Sequence, residues 1–252
     1  MTSSSASEPF AAVAPYYDQL MQSIPYLWWM HYVETLLDYF DRPAQKILDL
    51  CCGTGNLSEL LAMSGYEVVG VDRSAAMIEQ AIRKAEQHQS RVRYFVQDAA
   101  ALELGETFDG IVSLFDSLNN ITEPQRFAEA MRRAYRHLNP DGIFIFDLNT
   151  EYAFVRKMFD QALLEPSAPL RYRWRSQYDR ETRLCTVHME FWVREGTGER
   201  SFTEIHTQRA YTESEVRDML YAAGFPEVHV LDAYTLHPPE RRSDRVFYVA
   251  LR

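Results

Sequence analysis

Sorted into apolar and polar positions, the chain changes texture twice. Behind an aromatic-rich start, Tyr16 to Met21 and Tyr26 to Tyr32, apolar residues at Val33, Leu36, Leu37 and Phe40 recur at helical spacing, and Pro43 closes the segment. From Lys46 short apolar runs alternate with helical periods. The runs Ile47 to Leu50, Val68 to Asp72, Val92 to Gln97, Gly110 to Phe115 and Ile143 to Phe146 predict strands. A helix over Asn56 to Met63 stops at Gly65, and a second, N-capped by Ser74, gathers Met77, Ile78, Ala81, Ile82 and Ala85 on one face. A third carries Phe127, Ala130, Met131, Ala134 and Leu138 and leads through Asn139-Pro140-Asp141-Gly142 into the fifth strand.

Beyond Thr150 the period falls to two. Arg171 to Arg175, Cys185 to Arg194 and Phe202 to Tyr211 alternate as antiparallel strands do, and Glu195-Gly196-Thr197-Gly198-Glu199 supplies a turn. Thr212-Glu213-Ser214-Glu215 starts a helix as a capping box, burying Val216, Met219, Leu220 and Ala223, and Gly224 ends it. Val228 to Leu231 and Val246 to Leu251 are the last strands. The pattern predicts an α/β fold: a doubly wound, mostly parallel seven-stranded sheet with an antiparallel β insertion. Four regions follow: a tail and aromatic helical lid over 1–42, a binding core over 43–167, the insertion over 168–211, and the rest of the core sheet over 212–252.

Composition narrows the class. The 252 residues, 46% hydrophobic and 25% charged, are those of an ordinary globular protein, and no apolar run reaches the length of a membrane span. With 26 basic against 36 acidic residues the net charge is −10, which argues against a nucleic-acid partner. Cys51, Cys52 and Cys185 form neither a zinc pattern nor an even disulfide framework. The first residues lack the basic and apolar regions of a signal peptide and read as a short tail, so the expected compartment is the cytoplasm.

Chemistry concentrates in Asp49-Leu50-Cys51-Cys52-Gly53-Thr54-Gly55, between a strand and a helix, with Asp72 ending the next strand. A Gly-rich strand-to-helix turn lets a ligand approach the backbone, and an acid at the end of strand two accepts ribose hydroxyls. A dinucleotide fits poorly: Ser58 stands where the third glycine of that fingerprint belongs, and Asp49 would repel a pyrophosphate. Asp49 suits an ammonium instead, directly or through water. A ligand with an ammonium at one end and a ribose at the other, as in S-adenosyl-L-methionine, suits both acids.

These residues resemble the class I S-adenosylmethionine-dependent methyltransferases, whose usual text runs close to ILDLGCGTG and then GxD-x-S-x-x-M. Here stand Ile47 to Gly55 and Val71-Asp72-Arg73-Ser74-Ala75-Ala76-Met77, with Cys51 in a position usually held by glycine. Gln97-Asp98-Ala99, Phe108 to Asn119 and Leu138 to Gly142 are similar to later motifs of the family. Tyr17 to Met21, Tyr26 with Trp29, Asp116 to Asn119, Phe146 to Thr150 and His206 to Arg209 are similar to a bacterial small-molecule-type group within it. The resemblance implies a Rossmann-like methyltransferase fold and cofactor contacts at Asp49, Cys51, Gly53, Gly55, Asp72, Arg73, Met77, Asp98, Ala99 and Phe115. Tyr17, Tyr26 and Trp29 would close over the site.

Methyl transfer needs orientation and desolvation, and a base only where the nucleophile must lose a proton. Candidate groups are Tyr17, Asp116 and His206, with His188 lacking motif support. Tyr17 could equally pack the N-terminal helix, and Asp116 could cap the turn after strand four. His206 shares a strand face with Glu204 and Gln208; such a polar row ordinarily meets solvent, but would line an acceptor pocket if the insertion folds over the sheet's carboxyl edge. Arg171, Arg173, Arg175, Arg180 and Arg183 concentrate positive charge, as a solvated face or as a reader of acidic acceptors. The expected activity is S-adenosylmethionine-dependent methylation of a small molecule at nitrogen or oxygen, by a monomer or a homodimer paired through the insertion, with no membrane and no metal. The rivals are a methyltransferase acting on RNA or protein, and a non-catalytic cofactor-binding regulator.

Overall fold

A computed structural model describes residues 9–196 and 198–252. The tail expected at the first residues, and Thr197 of the expected turn, lie outside the described residues. A short helix α1 (Tyr17–Leu20) and a longer α2 (Tyr26–Tyr39) precede the alternating region. That region runs β1 (Lys46–Leu50), α3 (Asn56–Met63), β2 (Glu67–Asp72), α4 (Ala75–His88), β3 (Arg93–Val96), β4 (Phe108–Ser113), α5 (Pro124–His137) and β5 (Leu138–Asn149). Then come α6 (Glu151–Val155), β6 (Gln161–Leu163), β7 (Leu170–Asp179), β8 (Leu184–Glu195), β9 (Gly198–Arg209), α7 (Glu213–Ala223), β10 (Glu227–Asp232) and β11 (Arg245–Leu251).

The first sheet has seven strands in the order β10-β11-β5-β4-β1-β2-β3. β1 pairs in parallel with both β2 and β4, β2 with β3 and β4 with β5, while β11 runs antiparallel between β5 and β10. Because helices cover both faces, the central strands are continuous apolar runs: Ile47, Leu48, Ile111, Phe144, Ile145 and Val249 are fully buried. Strand order reverses between β1 and β4, and a doubly wound sheet opens a ligand crevice at such a point.

Ser74 caps α4 by accepting from the Met77 backbone N–H, and Thr212 with Glu215 forms the capping box of α7. Three local readings need correction. β5 runs unbroken through Asn139-Pro140-Asp141-Gly142, absorbing the expected turn by a register shift against β4 and a left-handed Asp141 (φ 63°). Ile82, expected on the buried face of α4, is exposed. The second sheet starts upstream of residue 168, because β6 adds an edge strand that three residues are too short to announce.

That second sheet is an antiparallel meander, β6-β7-β8-β9. Its inner face presents Trp174, Val187, Met189, Phe191, Glu204, His206 and Gln208, with Val187 opposite His206, Met189 opposite Glu204 and Cys185 opposite Gln208. The segment Val13–Ala14 is buried between this sheet and α4, against Met77, Leu170, Phe191 and Val193. Among the described residues no helix is long and apolar enough to cross a membrane.

Candidate active site

Two cavities lie at the reversal point. The larger, about 300 Å³, runs from the β1–α3 turn to the inner face of the second sheet. The smaller, about 170 Å³, is lined by Asp72, Arg73, Met77, Asp98, Ala99 and Arg126 among others. Phe10, Tyr17, Cys51, Gly53, Ser117 and Asn120 line both, so the cavities are two halves of one cleft.

The β1–α3 turn is shaped by its glycines. Gly53 (φ 56°) and Gly55 (φ 78°) are left-handed; a side chain at Gly55 would overlap the Tyr94 ring, whereas Gly53 has open space short of Tyr17, 4.0 Å away. Cys51 is also left-handed (φ 64°), which accounts for the glycine usual in this position. Asp72 closes the turn from the side: its Oδ2 accepts from the Gly53 N–H (3.0 Å) and its Oδ1 from the Ser74 N–H (2.8 Å). Asp98 accepts from the Ala100 N–H (2.8 Å) and from Arg126 Nη2 (2.6 Å) at the far end of the smaller cavity.

Asp49 is buried on the wall of the larger cavity, where Ser58 Oγ donates to its Oδ2 (2.5 Å). Burial pushes its carboxyl up to about 7, and the nearby Asp72 charge adds to the rise. The Cys51 and Cys52 thiols are pushed up as well, chiefly by burial, and stay protonated. These features fit an S-adenosyl group. The backbone over Gly53 is open, and Asp72 and Asp98 stand together on the smaller cavity, held by their backbone and arginine contacts. Asp49 is an acid that would ionise against an ammonium.

The end of the cleft toward the second sheet is built from side chains. Asp116, left-handed at φ 48° just beyond β4, accepts from Arg245 Nη2 (2.8 Å) and from Gln208 Nε2 (2.6 Å), and its own N–H donates to Asp147 Oδ2 (3.0 Å). Arg245 also pairs with Asp147, and its guanidinium lies over the rings of Trp29 and Phe115 at 6.0 and 5.8 Å. Trp29 is buried against Phe115 (centroids 5.1 Å) and Tyr26 (5.7 Å). Burial pushes the Tyr26 hydroxyl up to about 12, and burial, with the nearby Asp116, Asp72 and Asp18 carboxylates adding to it, holds Tyr17 well above its ordinary value. Both are therefore neutral donors near pH 7. His206 Nε2 lies 2.6 Å from Glu204 Oε2.

The polar row on β9 does not meet solvent. Glu204, His206 and Gln208 are all buried on the inner face, while Ile205 between them is exposed. His188 sits opposite Ile205 on the outer face, away from the cleft. Arg171 and Arg173 share that outer face, pairing with Glu199 and Glu190 and lying against Trp192, so they do not line the cleft.

A family profile described as "Methyltransferase domain" matches residues 47–142, the stretch that carries the turn and both acids. Over 244 residues the chain is 32% identical to GWCH70_2453 of Geobacillus sp. (strain WCH70), named as a methyltransferase, with 96% of this chain and 98% of that one covered. A solved S-adenosylmethionine-dependent methyltransferase from Clostridium acetobutylicum ATCC 824 superposes with a TM-score of 0.84 at 26% identity, covering 96% and 98% of the two chains. The chain belongs to the class I S-adenosylmethionine-dependent methyltransferases. Its cofactor is S-adenosyl-L-methionine. A further relative is the dTDP-4-amino-2,3,4,6-tetradeoxy-D-glucose N,N-dimethyltransferase of Saccharopolyspora spinosa, 30% identical over 72% of this chain and 71% of that one.

In this methyltransferase all the sequence-derived contact residues except Gly55 line the cleft; Gly55 shapes the turn from beneath. Phe10, Trp174 and Arg245 had no sequence signal that set them apart, and Asp147 was visible only as part of the Phe146 to Thr150 motif. Phe10 stands before the recognised Tyr17 motif, and Arg245 is one arginine of several between Glu240 and Val246. Gln208 was visible as the third member of the polar row.

Proposed function

We propose that this methyltransferase acts on a small molecule carrying an amine, transferring the methyl to nitrogen. The observation that carries the reading is the inward polar row on β9. Gln208 Nε2 is fixed on Asp116, which leaves Gln208 Oε1 buried without a partner, and Trp174 Nε1 is likewise unpartnered. Both residues line the larger cavity, otherwise mostly apolar. An orphaned buried acceptor costs about 1–3 kcal/mol, which a ligand N–H would recover. Nitrogen is favoured over oxygen by the S. spinosa relative, named for an amino-sugar N,N-dimethyltransferase.

S-adenosyl-L-methionine supplies a methyl on a sulfonium whose leaving thioether is neutral, so the protein's work is positioning. Trp29, Phe115 and Phe191 exclude water from the cleft. Gln208 Oε1 and Trp174 Nε1 orient the acceptor. Glu204 holds His206 Nε2–H, which makes Nδ1 the acceptor for the proton that leaves the amine. Asp116, held by Arg245, orients Gln208. The test is incubation of the protein with S-adenosyl-L-methionine labelled on the methyl and an extract split into metabolite, RNA and protein fractions. Label on an amine in the metabolite fraction is expected; label confined to RNA or protein would overturn the reading.

A further inference from the structure

Glu204 does more than hold His206. Its Oε1 accepts from the backbone N–H groups of Ala12 and Val13, both at 2.9 Å. Its Oε2 accepts from the Phe10 N–H at 3.1 Å, beside the His206 contact at 2.6 Å. Four donors saturate a carboxylate's two oxygens, and three are main-chain groups gathered around it from a segment about 190 positions away. Glu204 is buried to the same degree as the central core, so this is no exposed ion pair. The segment it holds carries Phe10 and leads to Tyr17, two of the residues that line both halves of the cleft. Phe10 is left-handed (φ 68°), a strained conformation for a residue with a side chain that persists only where something holds it. Its ring packs on His206 with centroids 4.1 Å apart.

We propose that Glu204 is a positioning residue: it latches the N-terminal segment over the cofactor and so sets how long the cofactor stays bound. The assignment rests on the two halves of the cleft holding the two ends of the cofactor. With Phe10 and Tyr17 between those halves, cofactor passes only when the Phe10, Ala12 and Val13 amides leave Glu204. The same carboxylate anchors the proton-accepting His206, so segment closure and acceptor-side geometry are set by one group.

The probe is S-adenosyl-L-homocysteine on the full chain, with release followed by competition and amide hydrogen exchange followed in the unliganded protein. Glu204→Gln is expected to speed release at least tenfold and to speed exchange at Phe10, Ala12 and Val13, leaving the amides of β1 and β4 as in wild type. Ala12→Pro removes one donor without altering a cleft-lining side chain. It should speed release several-fold, and the double variant should release no faster than Glu204→Gln alone. Unchanged exchange at the three amides in Glu204→Gln would overturn the latch. Faster exchange with unchanged release would overturn the segment's role as a cover while leaving the cofactor assignment standing. Should Glu204→Gln fail to fold, wild-type release rates in Ala12→Pro overturn the proposal by themselves.

Discussion

The two walls of the cleft are built on different principles. The wall assigned to the cofactor is largely local: β1, its turn, α3 and the end of β2 supply most of it from a stretch of fewer than thirty residues, with Asp98, Ala99 and Arg126 joining from farther along the chain, and much of what it presents is backbone shaped by Gly53 and Gly55. The opposite wall, proposed for the acceptor, is assembled from Phe10, Trp29, Asp116, Trp174, His206, Gln208 and Arg245, which meet only in the fold, and Asp116, Gln208 and Arg245 are tied to one another. A backbone wall fails where a side chain intrudes on it. A wall of interlocked side chains fails when one member leaves the others unpaired.

The largest effect is expected at the interlock. Arg245→Ala leaves Asp116 and Asp147 without their shared cation in a buried site, and urea unfolding should show a loss of about 3–5 kcal/mol. Gly55→Ala attacks the other wall, combining a left-handed alanine with overlap on Tyr94. It should lose roughly 2–4 kcal/mol by the same assay, together with cofactor affinity. Separation of the walls is sharpened by a pair of titrations. Asp72→Ala should weaken cofactor affinity by about 2 kcal/mol, roughly thirtyfold, because the ribose loses its acceptor and the Gly53 and Ser74 amides lose their anchor. His206→Asn should leave affinity within twofold while reducing turnover; equal losses in both variants would erase the distinction.

A smaller effect concerns pH. Burial raises the folded Asp49 carboxyl from 3.8 to about 7, so the unliganded fold holds this proton more tightly than the unfolded chain does. That contribution to stability is complete below about pH 4 and is lost as pH rises through 7. An ammonium ligand needs the ionised form, so cofactor affinity should rise several-fold from pH 6 to 7.5, below the range near 8 where an α-amino group deprotonates. Asp49→Asn should flatten that rise, as calorimetric titration would show. The smallest effect is at Cys51: replacing this left-handed residue by glycine should stabilise the protein by about 1 kcal/mol or less, seen as a small upward shift in Tm.

The same contrast explains what could be read from the sequence. Strand, turn, helix and acid follow one another along residues 46–74, so their spacing in the chain is their spacing in space. The second sheet was legible as alternation but ambiguous in direction: a period of two puts Glu204, His206 and Gln208 on one face without saying which face is inside. Only packing over the carboxyl edge decides that. It buries the polar row and leaves Ile205 out, the reverse of ordinary patterning. Phe10 and Arg245 were illegible for a related reason. Their partners Glu204, His206, Asp116 and Asp147 lie about a hundred residues or more away, and no local period records such a contact.

A crystal structure with S-adenosyl-L-homocysteine measures most directly how the cofactor lies in the cleft. The adenosine should occupy the smaller cavity with its ribose on Asp72, the amino group should reach Asp49 directly or through one water, and the sulfur should face Gln208 and His206. Adenosine in the larger cavity, or a sulfur turned away from the β9 row, would contradict it.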